Sequence, residues 1–178
     1  MIEISFLTGE IRFTVAWIII RIFIWNRKKR IDWKHETMLI LMYVNLFVII
    51  RYAFFPFGKV NGRIQPLIFD LNNIFPFRIN IEPFIHLSDY SYKKDMWINI
   101  LGNFALFIPT GIILPIIYKR LNSFLSVVFS GRFMSLCIEL IQLPFSTRTT
   151  DIDDLILNTL GVLTGYIIYR RVKLLKNG

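Results

Sequence analysis

Charged and amide side chains are concentrated in residues 139–161, between two strongly apolar stretches of the chain. They are Glu139, Gln142, Arg148, Asp151, Asp153, Asp154 and Asn158. Ionisable groups at membrane depth are costly, so they usually face the interior of a helix bundle or a water-filled site. Carboxylates and amides supply oxygen ligands for cations, and Arg binds phosphate or carboxylate groups. This segment is therefore the candidate functional part of the chain.

The spacing of these residues indicates where a functional site lies, but it does not indicate which reaction, if any, takes place there. The acidic residues match no known metal-binding loop, and the two histidines, His35 and His86, fall on opposite sides of the membrane in the topology below. With His86 as the one outward histidine, a Ser/His/acid set is not indicated. We therefore predict no metal and no cofactor, and we assign no catalytic residue.

The composition indicates a membrane protein. Of the 178 residues, 54% are hydrophobic and 16% are aromatic, and the 17 phenylalanines exceed what a soluble domain of this length needs. The net charge of +9 comes from basic residues clustered between apolar stretches, which favours anionic lipid headgroups over nucleic acid. The single cysteine, Cys137, permits no disulfide within the chain.

The apolar stretches predict an all-α, polytopic transmembrane bundle of about five spans, because each approaches the roughly 20 residues that a helix needs to cross a bilayer. The first is the weakest, because it contains Arg12 and Arg21, and we expect it to be retained rather than removed as a signal peptide. The predicted spans are residues 4–25, 37–57, 96–118, 124–145 and 151–169. The predicted divisions are two N-terminal helices (1–60), an outer loop (61–95), a three-helix core (96–170) and a basic tail (171–178).

The distribution of basic residues predicts the orientation in the cell membrane. Lys and Arg crowd the 27–34 and 119–120 connections and the C-terminal tail, which should therefore be cytoplasmic. The N-terminus, the 58–95 loop and the 146–150 turn then face outward. The loop itself, rich in proline and aromatic residues, has two interpretations: an interfacial or re-entrant segment, or a simple apolar-rich loop.

This topology brings polar residues of three spans to one level, near the outer leaflet. On each helix they follow one face: Asn99 and Asn103 on the third span; Arg132, Ser135, Glu139 and Gln142 on the fourth; Asp151, Asp154 and Asn158 on the fifth. Below them, Gly161 and Gly165 form a pair that lets a neighbouring helix approach closely. The predicted ligand-binding residues are Asn99, Asn103, Glu139, Gln142, Arg148, Asp151, Asp154 and Asn158.

Structural roles are the alternative for each of these residues. The asparagines can hydrogen-bond neighbouring helices, Asp151 can cap the fifth helix, and Arg148 can be a solvated turn residue. Glu139 is harder to explain in this way, because the dipole at the end of a helix disfavours an acid. It needs a cation, a proton, or Arg132 or Arg148 nearby.

The same residues carry a resemblance to the VanZ-like family of small bacterial membrane proteins. Its pieces cover about residues 80–168: NIEPF (80–84), NILGN (99–103), FIPTG (107–111), ELIQ (139–142), DIDD (151–154) and NTLG (158–161) with Gly165. The first two spans lie outside this resemblance and look like a variable N-terminal extension of the family's core. The family is named after an accessory protein associated with low-level resistance to teicoplanin, a glycopeptide with a lipid tail. The resemblance thus implies a cell-envelope protein with a link to antibiotic resistance.

Three functions follow as hypotheses. The first is a protein that engages an amphiphilic or lipid-linked ligand, or a glycopeptide, at the outer leaflet. The second is a membrane hydrolase or transferase on lipid-linked substrates, with an acid as general base. The third is a scaffold or transporter partner whose polar residues hold helices together. Membrane lipids are expected partners and nucleic acid is not, and the oligomeric state is not predicted.

Overall fold

The computed structural model describes residues 2–28, 30–55, 59–60, 62–75, 79–83 and 92–177. In these ranges the helices are α1 (Phe6–Arg27), α2 (Trp33–Phe54), α3 (Lys93–Ile117), α4 (Phe124–Gln142) and α5 (Ile152–Asn177). The short strands are β1 (Ile2–Ile4), β2 (Lys59–Val60), β3 (Arg63–Ile64), β4 (Leu67–Phe69), β5 (Ile79–Asn80) and β6 (Thr150–Asp151), with a 3-10 turn at Leu71–Ile74. The prediction of an all-α bundle is confirmed.

Four of these helices are long and apolar enough to cross a membrane, so the protein is a polytopic membrane protein. They are α2, α3, α4 and α5. The helix α1 has 22 residues but contains Glu10, Arg12, Arg21 and Arg27, and it does not meet the same criterion. The first of the five predicted spans is therefore a helix whose insertion stays a prediction.

The helices α1 and α2 pair through polar contacts inside an otherwise apolar hairpin. Each begins at a capping side chain, since Ser5 accepts from the backbone N–H of Thr8 and Asp32 accepts from that of His35. Between the two helices, the buried Arg21 guanidinium forms an ion pair with the buried Glu36 carboxylate. Each charge offsets part of the cost of burying the other.

Glycines set the spacing between α3 and α5. A Cβ added to Gly111 would collide with the backbone oxygen of Val162, and one at Gly165 would collide with that of Ile108. At Gly161 the obstacle is the backbone oxygen of Phe104. The backbones of α3 and α5 therefore touch, which confirms the prediction made for Gly161 and Gly165.

One end of the bundle is closed by short strands that join the N-terminus, the 59–83 segment and the α4–α5 connection. The strands β1 and β4 pair antiparallel, β5 and β6 pair parallel, and the backbone N–H of Asp70 donates to Pro144 at 3.0 Å. The five-span topology requires these three segments to share one side. Which side faces outward stays a prediction.

Parts of two sequence predictions fall outside the described residues. The last two residues of the predicted second span, 56 and 57, lie beyond the last residue of α2. In the 61–95 loop, residues 76–78 and 84–91, which include His86, also fall outside the described ranges. The described part of that loop contains β3, β4, β5 and the 3-10 turn, and its interfacial or re-entrant character stays a prediction.

Candidate functional site

A small polar cavity lies where α2, α3, α4 and α5 meet, near the end closed by the strands. Its volume is about 30 Å³, and we call it the polar cavity. Seven of the eight residues predicted from the sequence line it, and Asp151 does not. Its lining is Tyr52, Ala53, Asn99, Asn103, Leu106, Phe107, Ile138, Glu139, Gln142, Arg148, Asp154 and Asn158.

The buried floor of the polar cavity consists of Glu139, Gln142 and Asn158, which are 2%, 4% and 4% exposed. Nε2 of Gln142 donates to the carbonyl of Ala53 at 2.6 Å, and Nδ2 of Asn158 donates to Oγ of Ser135 at 2.9 Å. The side-chain oxygens of both amides have no hydrogen-bond partner among the described residues. Buried acceptors usually bond to something, and about 30 Å³ is room for water. We expect water to donate to both oxygens.

The mouth of the polar cavity consists of four half-buried side chains, Asn99, Asn103, Arg148 and Asp154. Asn103 links two of them, since its Nδ2 donates to the carboxylate of Asp154 and to Oδ1 of Asn99 at 3.4 Å. The mouth therefore presents a carboxylate, two amides and a guanidinium within one network of contacts. Such a set can bind both donors and acceptors.

Arg148 connects the mouth to the end of α2. Its Nε donates to the carbonyl of Phe54 at 2.8 Å, and its Nη2 donates to that of Tyr52 at 3.4 Å. These carbonyls belong to the last turn of α2, where backbone acceptors lack helical partners and the dipole favours a cation. Burial lowers the pKa of Arg148, and the carboxylates of Asp154 and Glu139 oppose that shift. The alternative of a solvated turn residue is wrong for Arg148.

Asp151 serves as the cap of α5. Its Oδ1 accepts from the backbone N–H of Asp153 at 2.9 Å and from Nδ2 of Asn80 at 3.1 Å. Its own backbone N–H donates to Oε2 of Glu139 at 3.1 Å. The capping role is thus confirmed. Asp151 does not line the polar cavity, but its backbone N–H fixes the position of the Glu139 carboxyl group, which does.

The polar stripe of α4 differs from the prediction at one position. Gly131, Ser135, Glu139 and Gln142 are buried, whereas Arg132 is exposed at the edge of the stripe. The charged neighbours of Glu139 include Arg148, Asp154 and Asp151. Arg132 belongs to the predicted stripe but lies outside its buried part, because spacing alone does not fix the width of the face that the neighbouring helices cover.

Sequence reasoning missed a second polar contact between helices, next to the polar cavity. Nδ2 of the buried Asn45 donates to the carbonyl of Leu106 at 2.9 Å, and its Oδ1 accepts from the buried Thr110 at 2.6 Å. The sequence feature that could have revealed this contact is an amide side chain, Asn45, inside the apolar second span. The same feature identified Asn99 and Asn103 in the third span. The buried acid Glu10 and the Arg21–Glu36 pair were also missed.

Membrane-spanning helices that surround a buried polar cavity define a polytopic membrane protein with a candidate intramembrane site. A family model described as VanZ/LLP1 matches residues 14–175, and the chain belongs to this family. The match confirms the resemblance and extends it into α1 and α2.

The chain is also similar to Protein VanZ from Enterococcus faecium, with 29% identity over 107 residues, 60% of this chain. The aligned region spans 62% of that relative. No solved structure matches the chain.

Proposed function

We propose that this VanZ-like membrane protein binds an amphiphilic or lipid-linked ligand of the cell envelope, with the polar cavity at the ligand's polar end. The observation that carries this proposal is that the polar cavity adjoins an apolar groove of about 550 Å³. Tyr52 and Leu106 line both spaces. An amphiphile needs two such surfaces side by side.

The apolar groove runs between α2 and α3, and we call it the α2/α3 groove. It is lined by Leu41, Val44, Asn45, Val48, Tyr52, Ile98, Gly102, Ala105, Leu106, Pro109 and Ile113. A groove of this size and composition suits an acyl or polyprenyl chain. A chain lying there brings its polar end to Tyr52, at the edge of the polar cavity.

The mouth of the polar cavity is the part that meets the ligand. About 30 Å³ accepts water but no headgroup, so the floor stays hydrated or closed. Asn99, Asn103, Arg148 and Asp154 then contact the headgroup, with Arg148 suited to a phosphate or carboxylate and Asp154 to an amine or hydroxyl. Glu139 lies below these residues in the floor, where its Oε2 accepts a hydrogen bond from the backbone N–H of Asp151.

The predicted orientation places this site at the outer leaflet. Lys119, Lys173 and Lys176 lie at the opposite end of the bundle, and short basic segments favour the cytoplasm. Teicoplanin, which carries a lipid tail and acts outside the membrane, belongs to the class of ligand that this arrangement accepts. We therefore propose a contribution to teicoplanin tolerance.

Blocking the α2/α3 groove tests the proposal. Ala105→Trp places a large side chain in the groove without removing a polar contact of the cavity. Ala16→Trp is the matched control. Ala16 is also an exposed alanine, and it lies about as far from the start of α1 as Ala105 lies from the start of α3. Teicoplanin binding to protein in neutral detergent, measured by native mass spectrometry, should weaken about 10-fold or more for Ala105→Trp alone, equivalent to about 1.4 kcal/mol.

Teicoplanin without its acyl chain should bind weakly to every variant, because the groove then has nothing to hold. Unchanged binding of intact teicoplanin by Ala105→Trp would contradict the proposal.

A second candidate function is a scaffold whose polar residues only join helices. The hydrogen bonds of Asn103 to Asp154, Asn158 to Ser135 and Gln142 to Ala53 each link two helices and support this alternative. Ala105→Trp leaves all three bonds in place. A pure scaffold should therefore show the same cellular function in Ala105→Trp and Ala16→Trp, whereas a ligand-binding protein should not.

A further inference from the structure

A second groove lies at the end of the bundle opposite the polar cavity. It has a volume of about 530 Å³ and is formed by the end of α3, the α3–α4 connection and the end of α5. We call it the basic groove. Its lining is Pro115, Ile116, Lys119, Asn122, Tyr169, Val172, Lys173 and Lys176.

Positive charge dominates the basic groove. Lys119 comes from the α3–α4 connection, while Lys173 and Lys176 come from one face of α5, three residues apart. The described residues that line the groove include no Asp or Glu. Three like charges that line one groove repel one another, and an anion bound between them would offset that repulsion.

Tyr169 is the aromatic residue that lines the groove, and it contacts one of the three lysines. Nζ of Lys173 lies 5.7 Å from the centre of the Tyr169 ring, within the range of a cation–π contact. The Tyr169 hydroxyl donates to Oδ1 of Asn122 at 3.4 Å, and the neighbouring Tyr166 donates to the Asn122 carbonyl at 3.0 Å. Tyr169, Asn122 and Lys173 thus form a connected side of the groove.

The remaining wall of the basic groove is apolar. Pro115 is buried, whereas Ile116 and Val172 are exposed at 41% and 47%. Ile116 lies in the last turn of α3 and Val172 near the end of α5, and both helices are long and apolar enough to span a membrane. In the predicted orientation this end of the bundle meets the cytoplasmic headgroups, below which the acyl chains begin. A free phosphate would use the lysines and leave this wall exposed. A phospholipid uses both surfaces.

We propose that the basic groove binds an anionic phospholipid, with its phosphate between Lys119, Lys173 and Lys176 and its acyl chains against Ile116 and Val172. Basic pockets between transmembrane helices are suited to such headgroups. A lipid with two phosphates should bind more tightly than one with a single phosphate, since three lysines face it. The site is separate from the polar cavity, and the inference does not depend on the proposed ligand there.

Variants of neighbouring basic residues on one helix provide the test. Lys173→Gln/Lys176→Gln removes two charges from the groove. Arg170→Gln/Arg171→Gln removes two charges from the same turns of α5 at exposed positions that do not line it. Binding of cardiolipin, phosphatidylglycerol and phosphatidylcholine to protein in neutral detergent is measured by native mass spectrometry, with inorganic phosphate as a fourth ligand.

The wild-type protein should bind cardiolipin most tightly, phosphatidylglycerol less tightly, and phosphatidylcholine and inorganic phosphate weakly. The lysine variant should lose about 30-fold in cardiolipin affinity, from about 1 kcal/mol for each basic residue, while the arginine variant stays within about 3-fold of wild type. Equal losses in the two variants would overturn the proposal, because diffuse charge would then explain binding. Equal affinity for cardiolipin and phosphatidylcholine would also overturn it.

Discussion

Gly165→Ala should destabilise the protein by about 2 kcal/mol or more, although alanine is the better helix former. The added Cβ would collide with the backbone oxygen of Ile108, and backbone at a helix crossing does not move aside as a flexible side chain does. Overpacking of this kind costs about 1–3 kcal/mol and occasionally more. The free energy of unfolding in detergent, or the Tm of the purified protein, measures the effect.

Gly9→Ala is the matched control for this prediction. A Cβ at Gly9 would meet the ring of Phe55 at 3.5 Å, an ordinary van der Waals distance. The higher helix propensity of alanine should then leave stability unchanged or raise it by up to about 1 kcal/mol. Only Gly165→Ala is therefore expected to lower stability. A loss at Gly9 equal to that at Gly165 would show that the close contact of α3 and α5 is not the cause.

Arg148→Met should lower the free energy of unfolding by about 2–3 kcal/mol. It removes the donors to the carbonyls of Phe54 and Tyr52, and it removes the positive charge beside the carboxyl groups of Glu139 and Asp154. Loss of one partner from a buried ionic set costs about 3–5 kcal/mol, and we expect less here because Arg148 is half-buried. Chemical denaturation of the purified variant measures the loss.

Two further variants separate charge from packing at Arg148. Arg132→Met removes the same type of side chain from the exposed edge of α4 and should change stability by less than about 0.5 kcal/mol. Adding Asp154→Asn to Arg148→Met should recover part of the loss, because one uncompensated carboxylate disappears. If the double variant is less stable than Arg148→Met, Arg148 does not stabilise the protein by compensating the charge of Asp154.

The glycine pair and the level of the polar residues could be predicted from the sequence because both depend on helical periodicity. Gly161 and Gly165 fall on one face of α5, and the structure shows that α3 is the helix that packs there, with Gly111 at the contact. Asn99, Glu139 and Asn158 reach one level because alternate spans run in opposite directions. Neither inference needs the partner helix to be known in advance.

Contacts that depend on which helices are neighbours could not be predicted in the same way. Arg148 reaches back 94 residues to Phe54, and Gln142 reaches back 89 residues to Ala53, and both contacts require α2 to end beside α4. The exposure of Arg132 could not be predicted for a related reason, since only the packed bundle shows which edge of a polar stripe is covered. The choice between a headgroup pocket and a water-sized cavity likewise depends on how closely the helices approach.

The measurement that tests the polar cavity most directly is teicoplanin tolerance of cells that express Glu139→Gln, divided by the amount of protein in the membrane. Glutamine keeps the size of the side chain and an oxygen that accepts from the backbone N–H of Asp151, but it removes the ionisable carboxyl group. Glu3→Gln is the control, an exposed glutamate on β1 at the same end of the bundle. We predict normal abundance for both variants and loss of tolerance for Glu139→Gln alone. Full tolerance at normal abundance would contradict a ligand-binding role for the polar cavity, and so would loss of the protein from the membrane.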